Sequence, residues 1–457
     1  MTSVDILNLE WRSFPSRDRD AASLIANYLR LLGLNVFEGC VFQGYELIRK
    51  HNPKLIYITN SVGAEINLKL IKYAKSRGII CVSGVAEGNF RSDGIEEFVW
   101  GHNRERVLYE DRLFVWSEQA KQMTLDAFPE LSGRVKVSGA VGFDLYQMIR
   151  VDRNWLWERT GGTRYEKVVG VGCWDFGITS PEDARYDYFL NYYGHNAIER
   201  FRQERDEFND TLLELIAGNP DILFILKEHP GRRLGYWASG IVGCERFPNA
   251  VIERNGVSIK ECIQASNVWI SYESNTAMEA WLYGIPSGLL NPRGTEFPNR
   301  HAIHRGQPNF RNIREWQEAL DCFYSSGELP GFSERAGLRE TIIRNTMQWH
   351  DGLNHVRLGN GIFELLEADE KRVDASTAAT APNFPTKLEV VKQWILWHGS
   401  PWLNSRNRTF RDYWNKYRSV WHAEEVVQYA DALMQLQLDL FKRLGYSVAS
   451  LRQIKPL

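Results

Sequence analysis

The feature that most constrains this chain is a repeated alternation in which a short apolar run, read as a buried strand, is followed by a stretch with helical spacing of apolar residues. Residues 4–9 read as a strand and 21–32 as a helix. Residues 55–59 form the next strand and end in Asn60-Ser61; a helix over 65–76 and a strand over 79–83 follow. Residues 113–116 read as a strand before a helix from about Glu118, and 135–138 close the series. A second series begins near Lys167, with strands at 167–172, 222–227 and 268–271 and helices at 204–217, 258–265 and 275–283. Gly284 and Pro286 terminate the last of these helices. Strand-helix-strand order of this kind calls for a parallel sheet covered on both faces.

The expected fold class is therefore α/β, with two facing Rossmann-like domains and a helical extension. The first domain spans residues 1–150 and the second 165–365, with a boundary between 147 and 166, where charged residues and Gly161-Gly162 interrupt the strand pattern. Residues 369–386 read as an exposed linker, and 387–457 as a helical extension. Trp394, Trp397, Trp402, Trp414 and Trp421 in that extension suit packing back on the body or binding a partner. A length of 457 residues is in keeping, being too much for one ordinary core. In such sheets ligands bind outside the carboxyl ends of the strands, so polar residues just after strands are the candidates for function.

Composition narrows the partners. A net charge of -2 argues against a general nucleic-acid binder. Cys40, Cys81, Cys173, Cys244, Cys262 and Cys322 are scattered, which fits reduced thiols in the cytosol better than a disulfide framework or a zinc site. Neither a signal peptide nor a membrane-spanning run is read, so the expected location is cytoplasmic, with peripheral attachment at a membrane left open.

Two strand exits carry the chemistry. In Ile225-Leu226-Lys227-Glu228-His229-Pro230-Gly231-Arg232-Arg233 an apolar strand empties into cations that suit a phosphate, or into a solvated charged loop. In Ser271-Tyr272-Glu273-Ser274-Asn275-Thr276 a strand runs into hydroxyl-bearing residues that start a helix. These groups suit an anion, while Ser274 or Asn275 equally suits a simple helix cap. Glu279, one turn on, is placed for a ribose or for the surface. Residues 291–299 follow the next strand and read as a loop over the donor or as a purely structural loop.

Together, Lys227-Glu228-His229-Pro230 and Ser271-Tyr272-Glu273-Ser274-Asn275-Thr276 resemble the bacterial surface-carbohydrate glycosyltransferases of the GT-B fold, closest to the CMP-Kdo-dependent beta-Kdo transferases of capsule or lipopolysaccharide assembly. The resemblance covers roughly residues 1–360 in layout and is specific only in those two motifs. It implies a nucleotide-sugar donor in the second domain, with the donor phosphate at His229, Ser271, Ser274 and Thr276. Lys227, Arg232, Tyr272, Asn275 and Glu279 complete the expected donor site. It implies transfer of Kdo or a related acidic sugar from a CMP-activated donor to a glycan or glycolipid acceptor, with polysaccharide-assembly proteins as further partners.

Transfer needs stabilisation of the leaving phosphate, for which Lys227 and His229 are placed, and a carboxylate at the anomeric carbon. Asp175 follows the first strand of the second domain and is the preferred nucleophile of a retaining reaction. Glu87, in a glycine-containing loop, is the preferred acceptor base and Glu118 its rival. Glu10 and Arg12 follow the first strand and suit acceptor positioning. Each of these is also a reasonable capping or surface residue. Gly139-Ala140-Val141-Gly142 lacks the ending of a P-loop, the first strand lacks a dinucleotide glycine fingerprint, and no serine sits in a nucleophile elbow. His301 and His304 lack further ligands nearby, so the reading calls for no metal and no cofactor beyond the donor. An inverting transferase using another nucleotide sugar and a noncatalytic glycan-binding protein are the rival readings.

Overall fold

The computed structural model describes residues 4–10, 17–85, 88, 94–172, 180–181, 186–228, 242–253, 257–272, 274–296, 302–369, 387–398 and 424–457. The chain forms two compact units: Met1–Ile149 together with Arg344–Leu457, and Arg150–Ile343. Each is built on one six-stranded parallel sheet, the GT-B-like α/β fold expected from the strand-helix alternation.

In the first unit the strands are β1 (Ile6–Glu10), β2 (Val36–Cys40), β3 (Leu55–Thr59), β4 (Ile80–Gly84), β5 (Arg112–Val115) and β6 (Val135–Val137), in spatial order β2-β1-β3-β4-β5-β6. Every residue of the central strands β1, β3 and β4 is buried, as a sheet covered on both faces requires, Asn8, Glu10 and Ser83 included. β2 carries a charged residue, Glu38, in its middle. Arg19 and Arg30 of the helix Arg17–Leu31 hold that carboxylate at 3.1 and 3.0 Å, which makes a charged strand residue tolerable.

A carboxyl without a cation lies just before β5. Glu110 is fully buried, one of its oxygens has no hydrogen-bond partner, and the hydroxyls of Ser61 and Ser83 lie 3.2 Å from each other nearby. Burial pushes its carboxyl above the usual range, against the opposing hydrogen bond from Ser61. The folded chain therefore keeps this proton at pH values where the unfolded chain loses it, so the group's contribution to stability falls as pH rises from the unfolded value through the folded one. Glu110→Gln is expected to melt higher than the parent at pH 7, with the advantage gone below about pH 4. A lower melting temperature at pH 7 would show that Glu110 works as an ionised group.

The second unit has β7 (Lys167–Gly172), β8 (Ile222–Lys227), β9 (Ala250–Glu253), β10 (Val268–Ser271), β11 (Ser287–Leu290) and β12 (Asn309–Phe310). Their order is β12-β11-β10-β7-β8-β9. Counted from its first strand, this is the 3-2-1-4-5-6 order of a dinucleotide-binding sheet, and the winding direction reverses between β7 and β10. The buried faces of β7, β8 and β10 are covered by Phe208, Leu212 and Leu215 of the helix His195–Gly218 and by Trp316 of the helix Ile313–Ser326.

The C-terminal quarter departs from the domain limits read in the sequence. The helix Asn354–Asp369 falls inside the range assigned to the second domain, yet it packs on the helix Arg17–Leu31 in the first unit. At its start, His355 and Asp144 form a buried pair: the backbone N–H of His355 donates to Asp144 Oδ2 at 2.7 Å, and His355 Nδ1 lies 2.8 Å from the same oxygen. Phe441, from the helix Glu424–Arg443, stacks on the His355 ring at 5.7 Å. The same helix is fastened to Arg17–Leu31 by Gln437 Nε2 donating to the Leu24 carbonyl at 2.8 Å and by Tyr429 donating to Asp20 at 2.6 Å. Finally, Leu457 and Val137 exchange backbone hydrogen bonds of 2.8 and 3.0 Å, which pairs the otherwise open edge of β6.

Among the described residues, no helix is long and apolar enough to cross a membrane. No group of three or more His, Cys, Asp or Glu side chains among them is arranged to hold a metal.

Candidate functional site

The reversal point of the second sheet, between the ends of β7 and β10, is the natural place to look for a ligand. β7 ends at Gly172, and a Cβ at that position would lie 2.4 Å from the Thr276 hydroxyl and 3.2 Å from the Trp269 indole nitrogen. Those two groups are themselves joined, Trp269 Nε1 donating to Thr276 Oγ1 at 3.1 Å. Only glycine at 172 lets the turn after β10 settle this close to the end of β7. Ser274 Oγ accepts from the Thr276 N–H at 3.2 Å, so its hydroxyl caps the turn locally. Asn275 precedes the helix Thr276–Leu282 without a side-chain capping bond.

The remaining residues of this motif are less available. Ser271 is wholly buried, and its hydroxyl is engaged by the Gln307 amide at 3.0 to 3.2 Å. Gln307 also accepts from Ser287 at 2.7 Å, and Ser287 in turn accepts from the Trp281 indole at 2.8 Å. This closed chain joins β10, β11 and the helix Thr276–Leu282, and nothing in the local sequence around Ser271 announces it. Tyr272 is buried with its ring edge-on to Phe208 at 5.9 Å. Glu279 is buried on Thr276–Leu282, within electrostatic reach of Tyr283.

At the exit of β8, Lys227 is buried with Nζ 3.5 Å from the Glu253 carbonyl, and the Glu228 N–H donates to that same carbonyl at 3.2 Å. The Glu253 carboxylate takes Arg159 at 2.9 Å. His229 and Arg232 lie outside the described residues, as do Asp175, Glu87, Arg12 and His301. After β11, Asn291 and Thr295 exchange two hydrogen bonds of 3.0 Å, and Thr295 and Arg293 reach Glu204 and Glu207 at 3.0 and 2.5 Å. That loop is thereby tied to the helix His195–Gly218.

In the first unit the winding reverses between β1 and β3. Tyr57, Thr59, Trp116, Ser138 and Arg17 line a small hollow of about 20 Å³ at the strand exits. The Arg17 guanidinium lies over the rings of Trp116 and Phe143 at 5.6 and 5.4 Å, which fixes a cation at the rim. Glu10 is buried at the end of β1. Glu118 is half-exposed and occupies an ordinary first-turn position: Ser117 caps its helix, its own N–H donates to Gln348 at 2.8 Å, and its carboxylate takes Lys121 at 3.2 Å.

No protein-family model and no curated protein sequence matches this chain. Solved structures with the same two-unit fold do match. One is a Listeria monocytogenes structure assigned as a UDP-N-acetylglucosamine 2-epimerase, 14% identical, covering 80% of this chain and 98% of its own, with a TM-score of 0.51. Another is Staphylococcus aureus MnaA solved with UDP, 13% identical over 80% of this chain and 97% of its own, with a TM-score of 0.50. At these identities the likeness is one of fold.

These findings correct the functional expectation. The two structures that share the fold are one assigned as a UDP-N-acetylglucosamine 2-epimerase and one solved with UDP, and neither is a CMP-sugar transferase, so the assignment as a CMP-Kdo-dependent Kdo transferase is withdrawn. With it goes the specific link to capsule and lipopolysaccharide assembly. The physical reason is that strand-exit motifs report where a ligand sits in this fold, and do not report which base or sugar it carries. Ser271 illustrates the point, its hydroxyl being engaged by Gln307 inside the unit.

Proposed function

We propose that this chain is an enzyme acting on a UDP-activated sugar, whose nucleotide is held by the second unit at the exits of β7 and β10. The observation that carries the reading is the close seat of Thr276 on Gly172 at the reversal point of a 3-2-1-4-5-6 sheet. There the backbone of the turn comes close to the strand end, the arrangement through which such sheets receive a nucleotide. The fold likeness to a UDP-N-acetylglucosamine 2-epimerase and to a UDP-bound protein supports uridine as the base. The cations His229 and Arg232, which follow β8 in sequence, are the proposed partners of the diphosphate.

Calorimetry with UMP, UDP, CMP, CDP and GDP tests the nucleotide. UDP is expected to bind at least about tenfold more tightly than CDP, a margin of about 1.4 kcal/mol. Equal or tighter binding of CDP, or no binding of any nucleotide, overturns the proposal. Proton NMR of a panel of UDP-sugars incubated with the protein then reads the chemistry. A new UDP-sugar isomer identifies an isomerase, and free UDP identifies transfer or hydrolysis. UDP-sugars that bind and stay intact with and without candidate acceptors would leave a binding protein in place of an enzyme.

A further inference from the structure

The helix Lys387–His398 packs against the helix Gly44–His51 and the Val41–Gln43 turn on the first unit. Val390 joins the core cluster that contains Phe42, Tyr45 and Leu47. Its neighbours do not: Leu388 is 76% exposed, Trp394 54%, Val391 50% and Ile395 43%. Positions 388, 391, 394 and 395 recur at helical spacing and so share one face. That face continues into an open groove of about 510 Å³ between the two helices, lined by Phe42, Tyr45, Val391 and Trp394 and edged by Glu46, Arg49 and Lys50. A run of large apolar side chains presented to water in this way marks an interaction surface.

We infer that this face docks the protein on an anionic lipid surface. The chemistry is that of an interfacial helix: aliphatic side chains enter the acyl boundary, a tryptophan sits at headgroup level, and long cationic side chains reach the phosphates. The two helices carry Arg49, Lys50, Lys387 and Lys392 against Glu46 and Glu389, a surplus of two positive charges (four minus two) on a chain whose net charge is -2. The surplus is local, and it complements an anionic bilayer. It works against a second copy of the chain on the same face, because a twofold contact brings together two patches of the same net sign. The apolar contribution exceeds the electrostatic one, so salt weakens the contact without abolishing it.

The test is sedimentation of the full chain with vesicles of phosphatidylcholine alone and of an equimolar mixture with phosphatidylglycerol. The parent is expected to sediment with both vesicle types, several-fold more completely with the mixed one. Val391→Glu combined with Trp394→Glu is expected to weaken partitioning about tenfold or more, and Arg49→Glu combined with Lys50→Glu to weaken it by a smaller factor. All four positions are exposed, so an unchanged melting temperature separates loss of the surface from loss of the fold. Parent protein that ignores both vesicle types, or variants that sediment like the parent, overturns the inference. So does a concentration-dependent dimer abolished by the Val391→Glu and Trp394→Glu pair, which would assign the face to a second copy.

Discussion

Removal of residues 424–457 is expected to leave the first unit without a cooperative fold. The segment supplies Leu433, Leu440, Phe441 and Leu451, all nearly or wholly buried against Leu24, Tyr28 and Leu353. At roughly 1.5–3 kcal/mol for each such side chain, their burial is worth on the order of 6–12 kcal/mol. A native domain has only about 5–15 kcal/mol of net stability to lose. The deletion also strips Gln437 from the Leu24 carbonyl, leaves the edge of β6 unpaired and uncovers the stacked face of His355. The expected result is an insoluble or protease-sensitive product whose melting curve lacks the first unit's transition. Phe441→Asp should reproduce it by placing a carboxylate beside the buried Asp144 and His355 pair. A truncated chain that melts cooperatively within about 5 °C of the parent would show that the segment is an appendage.

That prediction also marks where the sequence stops being informative. Apolar runs such as those of β3 and β8 announce buried parallel strands, because a strand covered on both faces has no reason to alternate. β2 was not legible, since Glu38 interrupts it and Arg19, Ser23 and Arg30, all outside the strand, make it acceptable. β12 is two residues long and is defined by pairing with β11. The helical periodicity of the C-terminal segment was readable, but its partner was not: Gln437 bonds a carbonyl 413 residues away.

The candidate site divides in the same way. A strand running into Ser274-Asn275-Thr276 is a local pattern and points to a turn at a sheet's carboxyl edge. Whether a hydroxyl there faces a ligand or the interior depends on remote chain. Gln307 claims Ser271 from 36 residues downstream, with no signature of its own. Gly172 left a weak trace in the alternation Gly170-Val171-Gly172, whose meaning emerges only once Trp269 and Thr276 are seen beside it. The nucleotide's identity was the least legible feature, because a helix start and a cluster of cations recognise phosphate, and every nucleotide sugar has phosphate.

Gly172→Ala is expected to cost uridine nucleotide binding up to about a hundredfold while costing the fold far less. The added Cβ would sit 2.4 Å from Thr276 Oγ1, a separation that forces movement, and the group it meets is held from the other side by the Trp269 indole. Trp269 is wholly buried and leaves little room to yield. The turn carrying Ser274 and Thr276 must therefore shift away from β7, and a displacement near 1 Å breaks a hydrogen bond to the charged diphosphate worth about 1.5–3 kcal/mol, up to about a hundredfold in affinity. Relief of the same overlap costs the unit about 1–3 kcal/mol of stability, seen as a lower melting temperature with folding intact. Adding Thr276→Ala removes the hydroxyl, leaving the nearest Thr276 atom at 3.3 Å, but it also takes the acceptor from the buried Trp269 indole N–H, so the double variant should recover only part of the lost stability. Recovery of binding along with stability would mean that the position of the turn governs the site and that the Thr276 hydroxyl is dispensable. Stability recovered without binding would make that hydroxyl a ligand in its own right. Wild-type affinity for UDP in Gly172→Ala itself would place the nucleotide elsewhere, because no ligand held by this turn can be indifferent to its displacement.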